Sequence, residues 1–467
     1  MPDERFEEHL RHPRGRGHLP EGAHSGSAGG AACGDLVRFS LSVEGGRVAR
    51  PGFEASGCGA TIAAASAAVE LVQGAEILAA ARVGTREIAG ELGGLSVGKL
   101  HAADLAADAL HWALGRAAAA TAQLEPHLGR VLVAMSGGVD SAVAATLTGP
   151  DAVAVTLELW ADPDNDGESS CCSAQAVRTA RALAQRMGMP HFTLDLREEF
   201  RAGVVQPYLD GHAAGVTPNP CVGCNGHVRL DAMLAFADRL GAEALATGHY
   251  ARTTAQGLLR QAADPAKDQS YMLAALSPAT IRRMRFPLGD LHKPRVREIA
   301  REHGLAVADK PDSQDLCFLA GTGRSDFLAR HGGLRERPGE ILDRRGRVLG
   351  RHRGHHGFTV GQRRGLGVGN GNSEPLYVVA TDARANTVTV GPRAELARMD
   401  VKVGGLRLHR PEEEVDAVKL RYRTKAVGCR VKDGQVELAE PFEGVAPGQS
   451  AVFLSGDVVV GCATITR

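Results

Sequence analysis

Long apolar runs are missing from this 467-residue chain. No stretch reaches the roughly 18–20 residues that cross a bilayer. The opening segment, Met1 to Arg16, is charged and lacks the apolar core of a secretory signal. Net charge is missing as well: 54 Lys+Arg balance 54 Asp+Glu, so any surface for a polyanion must be local. A cytoplasmic protein is expected, with neither a membrane nor DNA as partner. An aromatic share of 4% beside 58 glycines reads as coding bias as much as design. A disulfide framework is excluded by the expected compartment. The nine cysteines stand at 33, 58, 171, 172, 221, 224, 317, 429 and 462, and only Cys221 and Cys224 have C-x-x-C spacing. Thiolate chemistry or metal binding is the reading to test. No long-period repeat is present.

What is present is an ordinary globular balance, 43% hydrophobic and 23% charged, long enough for two to four domains. The chain changes character twice. Residues 1–127 open Gly/Ala/His-rich, continue with a strand pair (Leu36 to Val43, Arg47 to Phe53) joined by Glu44-Gly45-Gly46, and end in alanine-rich helices. In the last helix Leu105, Ala109, Trp112 and Ala113 share one face. Leu124 to Gly129, with Pro126, reads as a linker. Residues 128–328 alternate strand and helix: apolar strands at Val131 to Met135, Ala152 to Leu159, His191 to Leu196 and Ala244 to Thr247 predict a parallel sheet covered on both faces. Residues 329–395 and 396–467 show short strands and Gly/Asp turns, which predicts two small β-rich domains, one a β-barrel. Cys429 and Cys462 fall in these strands, where buried packing is expected.

The first chemical motif follows the first apolar strand: Ala134-Met135-Ser136-Gly137-Gly138-Val139-Asp140-Ser141, then a helical segment. The glycines let backbone approach a ligand, and the N–H groups of the turn and helix start would face an anion. Ser136 and Ser141 can donate hydroxyl hydrogen bonds, and Asp140 can hold Mg²⁺ or orient a water. No lysine follows the glycines, so this is not a Walker loop. The plain alternative is a strand–turn–helix joint. The segment resembles the PP-loop of ATP pyrophosphatases, which adenylate a substrate oxygen.

Further motifs follow in order: Cys171-Cys172-Ser173, Asn219-Pro220-Cys221-Val222-Gly223-Cys224-Asn225, Gly248-His249-Tyr250, Lys267-Asp268-Gln269, Asp312-Ser313-Gln314-Asp315-Leu316-Cys317-Phe318 and Gly361-Gln362-Arg363-Arg364-Gly365-Leu366. From about Arg130 to the C-terminus the chain resembles the tRNA-specific 2-thiouridylase family, which thiolates the wobble uridine. The resemblance implies ATP and Mg²⁺ as cofactors, tRNA as substrate, and a cysteine desulfurase or other sulfur donor as partner. It implies Cys224 as the nucleophile that closes a disulfide and Cys317 as the persulfide carrier. It implies ATP contacts from Ala134 to Ser141, Leu157 and Gly248. It places Asn219, Pro220 and Cys221 at the target base, and Lys267, Asp268, Gln269, His249, Arg421, Tyr422 and Gln449 at tRNA. The chemistry accounts for the residue types: oxide is a poor leaving group, adenylation improves it, and a thiolate-derived sulfur then attacks C2. Many members have Asp where this chain has Cys221. Three readings stay open there: a Cys224–Cys317 persulfide pair with Cys221 spare, a [4Fe–4S] cluster on Cys221, Cys224 and Cys317, or a zinc site. Cys171 and Cys172 are read as structural small residues.

Arg344, Arg345, Arg347, Arg351, Arg353, Arg363 and Arg364 crowd one stretch. Lys419, Arg421, Arg423 and Lys425 alternate so that a strand would put all four on one face. Such stripes suit an RNA backbone, with Phe358 and Tyr422 as stacking groups; a solvated charged face is the alternative. His355 and His356 are read as structural or RNA-contacting rather than metal ligands.

Upstream, from about His12 to Arg116, the chain resembles the iron–sulfur cluster scaffold family related to the N-terminal part of nitrogen-fixation scaffolds. The motifs are Ala32-Cys33-Gly34-Asp35, Gly57-Cys58-Gly59-Ala60 and Lys99-Leu100-His101. Cys33, Asp35, Cys58 and His101 match scaffold ligand positions, while Ala102 occupies the place of the third cysteine. Such a site could hold a cluster, hold zinc or receive sulfur, and fusion would raise the donor's effective concentration beside its consumer. The expected architecture is an α+β scaffold-like domain, a parallel α/β PP-loop domain and two β-rich domains. Two other functions compete. One is another PP-loop adenylating synthetase, although no glutaminase-like nucleophile elbow is present. The other is an iron–sulfur or sulfur carrier whose PP-loop is only structural.

Overall fold

The computed structural model describes residues 2–29, 34–162, 174–312, 316–319, 321–368, 374–432 and 434–467. The expectations for Cys33, for Cys171, Cys172 and Ser173, and for Ser313 to Asp315 lie outside the described residues.

Three antiparallel strands open the chain: β1 (His24–Gly29), β2 (Leu36–Glu44) and β3 (Arg47–Ser56), in the order β1-β2-β3. Gly45 and Gly46 turn the β2–β3 hairpin with φ of 56° and 74°, the left-handed pair that matches strand twist. Val37, Phe39 and Leu41 alternate into the core. Two helices, Gly59–Val72 and Leu100–Thr121, cover that face. The first is apolar nearly all round, and Ala63, Ala64, Ala65, Ala67 and Ala68 are all fully buried.

The second unit is a five-stranded parallel sheet. Its strands are β4 (His127–Ala134), β5 (Ala152–Glu158), β6 (His191–Asp195), β7 (Ala242–Ala246) and a short Met284–Arg285 strand. The order is Met284–Arg285, β7, β4, β5, β6. β5 is buried at every position, as a strand covered on both faces must be.

β6 is the edge strand, and the N-terminal unit closes it. His191 N–H donates to Ala81 O at 3.0 Å. Gly115 lies so close to Thr193 O that a Cβ there would stand 1.9 Å away, so only glycine lets the helix approach. Asp108 accepts from Arg178 at 2.7 Å and from Arg181 in the helix Ala174–Arg186. The segment read as a linker joins the two units and is itself packed: Leu124 N–H donates to Arg239 O at 2.9 Å and His127 N–H to Gly241 O at 3.0 Å. One apolar cluster runs from Phe39 through Phe192 and Phe318 to Val452.

The C-terminal part holds a four-stranded sheet ordered Val348–His352, Gly339–Leu342, Thr387–Pro392, Leu376–Asp382. A barrel follows, running Ala397–Leu408, Gln435–Glu443, Val427–Lys432, Ala417–Lys419, Ser450–Ser455, Val458–Ile465 and closing back onto Ala397–Leu408. Closure leaves those six strands without a free edge. Cys429 is buried and Cys462 half-buried in these strands, as expected. Burial pushes the Cys429 thiol up to about 11. One expectation is corrected: Lys419, Arg421, Arg423 and Lys425 do not share a strand face. The strand ends at Lys419, and a turn closed by the Thr424 hydroxyl on Arg421 O at 3.0 Å follows. Arg421 points inward and donates to Val360 O at 2.8 Å and Gly444 O at 2.6 Å.

Asp108 and Arg181 are both buried. Asp108→Ala leaves Arg181 without its counter-ion, and breaking a buried pair this way costs about 3–5 kcal/mol. Urea unfolding of the full chain followed by circular dichroism should show the loss; an unchanged midpoint would mean the Asp108–Arg181 pair contributes nothing to stability.

Candidate active site

β4 delivers the chain to the loop, and Met135 N–H still pairs with Val155 O at 2.8 Å. Gly137 then takes φ of +69°, where any side chain is strained and a Cβ would lie 2.9 Å from Ala176 O. Gly138 caps the helix Val139–Thr148. The two serines organise the turn. Ser136 N–H donates to Ser141 Oγ at 3.1 Å, and Ser141 donates its hydroxyl to Gly138 O at 3.1 Å. From the end of β7, Gly248 packs on the helix start, and a Cβ there would meet Ser141 N at 2.8 Å. Leu157 is buried one residue before the end of β5. The eight loop residues, Leu157 and Gly248 thus gather at the carboxyl ends of β4, β5 and β7, where open α/β sheets take their ligands.

The loop's carboxylate has partners that sequence reasoning missed. Asp140 accepts from Lys293 Nζ at 2.7 and 2.8 Å and from the Tyr250 hydroxyl at 2.8 Å. Burial and the neighbouring Asp140 push the Tyr250 hydroxyl far above its usual range, so it stays protonated. Lys293 also reaches Asp312 Oδ1 at 2.8 Å, and Asp312 binds Lys267 at 2.7 Å and Arg297 at 3.0 Å. Burial pushes the Asp312 carboxyl up, but Lys267 and Lys293 outweigh it and leave it below the usual range. Lys310 donates to Gly137 O at 3.1 Å. One signal in the sequence could have found Lys293: it opens the helix Lys293–Glu302, the end where the helix dipole disfavours a cation.

The cysteine segment is a helix start. Asn219 caps it, accepting from Cys221 N–H at 3.2 Å, and Pro220 sits at its first position. The helix Pro220–Cys224 continues through a π-turn, Asn225–Arg229, into Leu230–Arg239. Cys224 is buried and Cys317 half-buried, both against the same apolar cluster. The barrel buttresses this start. Gln449 donates to Thr217 O at 2.7 Å, Tyr271 to Ser450 O at 2.8 Å, and Asn219 N–H to Gly448 O at 3.2 Å. Burial pushes the Tyr422 hydroxyl up, with a smaller contribution from nearby Asp268 and, further down, Cys221. Its ring lies 6.0 Å from that of Tyr271.

Several residues expected at tRNA are engaged within the chain. Asp268 accepts from Ala262 N–H at 3.0 Å and from the Ser270 hydroxyl at 2.9 Å. The Gln269 side chain accepts from Tyr250 N–H at 3.0 Å. Lys267, Arg421 and Gln449 hold Asp312, Val360 with Gly444, and Thr217. His249 is half-buried beside Thr247, Nδ1 to Oγ1 2.9 Å. By contrast Arg345, Arg351, Arg363 and Arg364 are exposed, with no acidic partner among the described residues. His355 is buried against Asn386 Oδ1 at 3.2 Å, a structural role.

In the N-terminal unit, ligand atoms of Asp35, Cys58 and His101 all lie within 4.8 Å of one another. Asp35 accepts from the Thr61 hydroxyl and from Cys58 N–H. Thr61 first, with Cys58 adding and burial opposing, holds its carboxyl below the usual range. His101 Nδ1 meets Gly98 O at 2.9 Å, which leaves Nε2 for a ligand bond. A carboxylate, a thiolate and an imidazole fit one tetrahedral ion with an open position. Ala102, next along the helix, is fully buried.

Loop, cysteine helix, barrel and ligand trio together define a nucleotide-binding α/β enzyme fused to a metal-scaffold-like unit. Family comparison agrees. Residues 3–122 match the NifU-like N terminal domain, 129–321 the tRNA methyl transferase HUP domain, 325–392 the tRNA methyl transferase PRC-barrel domain and 406–465 the Aminomethyltransferase beta-barrel domain. A bifunctional protein NifU/MnmA of Rubrobacter xylanophilus is 46% identical over 481 residues, covering 98% of this chain and 97% of that protein. A tRNA-specific 2-thiouridylase MnmA of Rhizorhabdus wittichii is 45% identical over 341 residues, 71% of this chain and 90% of that protein. A putative scaffold protein for the SUF system from Fervidobacterium islandicum covers 24% of this chain and 94% of its own at 17% identity, with a TM-score of 0.21, which adds no weight. The chain belongs to the tRNA-specific 2-thiouridylase family, in the branch that carries a NifU-like domain at its N-terminus. None of its helices is long and apolar enough to cross a membrane, among the described residues.

Burial first, then the Arg229 charge, lowers His249 to about 3. That shift favours the neutral imidazole through the neutral pH range. Thiolation measured from pH 6 to 8 should show no limb that His249→Gln removes; a limb that disappears in this variant would mean the imidazole titrates in the working range.

Proposed function

We propose that this protein is an ATP-dependent tRNA-uridine 2-sulfurtransferase acting on the wobble uridine. The observation that carries the reading is an intact Ser136-to-Ser141 phosphate loop in the same fold as a capped, barrel-buttressed cysteine helix. ATP would lie over Gly137, Gly138 and the helix start, its adenine toward Leu157, with Gly248 granting the close approach. Mg²⁺ would be held by Asp140. The uridine O2 attacks the α-phosphorus, pyrophosphate leaves, and the oxygen becomes part of an AMP leaving group. The outer sulfur of a Cys317 persulfide attacks C2, the C2–O bond breaks and AMP leaves; Cys224 then attacks the inner sulfur, the persulfide S–S bond breaks to leave sulfur on C2, and a Cys224–Cys317 disulfide remains. A cellular dithiol must then reduce the disulfide, and a desulfurase persulfide reload Cys317 with sulfur. Asn219, Pro220, Cys221 and Tyr422 would face the target base, and Arg345, Arg351, Arg363 and Arg364 the RNA backbone. The domains would divide near residues 127, 328 and 395.

Nucleoside mass spectrometry tests the reaction with anaerobically purified protein, tRNA, ATP, Mg²⁺ and a sulfane-sulfur donor, a cysteine desulfurase with cysteine and a dithiol, with sulfide alone as a parallel arm. 2-Thiouridine should require ATP and fail in Cys224→Ala and Cys317→Ala, with Cys221→Ala retaining activity. Loss in all three variants would favour a three-thiolate cluster. No 2-thiouridine from the wild type would favour a carrier protein.

For the N-terminal unit we propose an iron or zinc ion on Asp35, Cys58 and His101, serving sulfur supply. Cys58→Ala/His101→Ala should lose bound metal by elemental analysis and lower 2-thiouridine in cells several-fold when sulfur is limiting. Unchanged thiolation in cells would reject the supply role.

A further inference from the structure

A phosphate loop that lacks its own lysine needs cations from elsewhere. Bound ATP carries several negative charges, and its β- and γ-phosphates must be held while charge builds on the leaving group. The residues Ala134 to Ser141 contain no cation. Four lie just outside: Lys293, Lys310, Lys267 and Arg297.

Lys293 differs from the other three. Its side chain is only 10% exposed. Its ammonium sits between two carboxylates, Asp140 of the loop and Asp312. Asp312 already has Lys267 and Arg297, so it does not depend on Lys293 for a counter-charge. Asp140 is the residue expected to turn to Mg²⁺ when nucleotide arrives. The Tyr250 ring, 5.9 Å from Nζ, closes one side and also donates to Asp140. A lysine released by its carboxylate at the moment a polyphosphate enters is placed to take the phosphate instead.

We propose that Lys293 is the cation that binds the β- and γ-phosphates of ATP and carries the leaving pyrophosphate, with Asp140 as its placeholder partner in the empty site. The proposal rests on the adenylation reading. In the step, the uridine O2 forms a bond to the α-phosphorus and the N3 proton passes to solvent. The bond from the α-phosphorus to the bridging oxygen breaks, and its electron pair goes to pyrophosphate. The Lys293 ammonium neutralises that charge without proton transfer. Lys310, bonded to Gly137 O, is the second cation on the same rim.

The test separates phosphate binding from loop architecture. Pyrophosphate and AMP binding are measured by calorimetry, and pyrophosphate formation with substrate tRNA and Mg–ATP by rapid quench, for wild type, Lys293→Met and Lys293→Arg. Lys293→Met should weaken pyrophosphate binding about tenfold or more and slow its formation by roughly 10²–10³-fold, with AMP affinity kept within about twofold. Lys293→Arg should restore much of both. Wild-type pyrophosphate affinity and rate in Lys293→Met would overturn the proposal. So would parallel loss of AMP and pyrophosphate binding with a collapsed melting temperature, the mark of a merely structural lysine. The binding arm needs no turnover: a wild type that forms no pyrophosphate overturns the adenylation reading, while the ratio of the two affinities still decides Lys293.

Discussion

The parallel sheet is the constraint on which the rest of this molecule depends. Parallel strands must be covered on both faces, and their edges must be closed. The carboxyl ends of β4 and β7 meet where Gly137 bends left-handed and Gly248 lies on the helix start; a side chain at either position would push the backbone apart. The N-terminal unit closes the β6 edge through His191, Gly115 and Asp108. The barrel reaches the other end of the domain, where Val458–Ile465 pairs with Leu259–Arg260. The phosphate loop is therefore held by its own glycines and serines, while the domains around it fix the sheet that presents it.

The sequence shows local chemistry better than distant partners. The Gly45-Gly46 hairpin, the four apolar strands and the Ser136-to-Ser141 turn are all legible because neighbouring residues decide them. The Asp140–Lys293 pair joins residues 153 positions apart, and no local pattern predicts it. The basic stripe at Lys419 to Lys425 misleads for a related reason. Alternation suggests a strand, but Arg421 is drawn inward by the carbonyls of Val360 and Gly444, from two separate segments. Tertiary acceptors outweigh the local period there. The linker at Leu124 to Gly129 does lie between the two units, but its packing is not legible, since Arg239 and Gly241 take up the backbone of Leu124 and His127.

Family motifs also mix two kinds of residue. Asp268, Gln269, Gln449 and Arg421 stand in segments that the thiouridylase resemblance assigns to tRNA, yet each holds backbone groups within the chain. Gln449 and Asn219 fix the helix start that carries Cys221 and Cys224, so their loss would displace the cysteines whether or not they touch RNA. Exposed arginines without acidic partners among the described residues, such as Arg363 and Arg364, are cations available to a phosphate backbone.

The packing of the N-terminal unit changes what fusion can mean. A flexible tether raises effective concentration by letting a donor sample its acceptor, and that benefit vanishes when geometry forbids the encounter. Here the joint is a covered sheet edge. Asp108 is paired with two arginines, a glycine contact permits backbone approach, and apolar side chains of both units lie in one cluster. Swinging the scaffold-like unit toward the cysteine helix would expose the β6 edge, break the buried ion pair and open that core. Each of these costs more than a surface contact. Transfer by large domain motion is therefore disfavoured. The fused unit is therefore a fixed neighbour of the β6 edge rather than a freely tethered one.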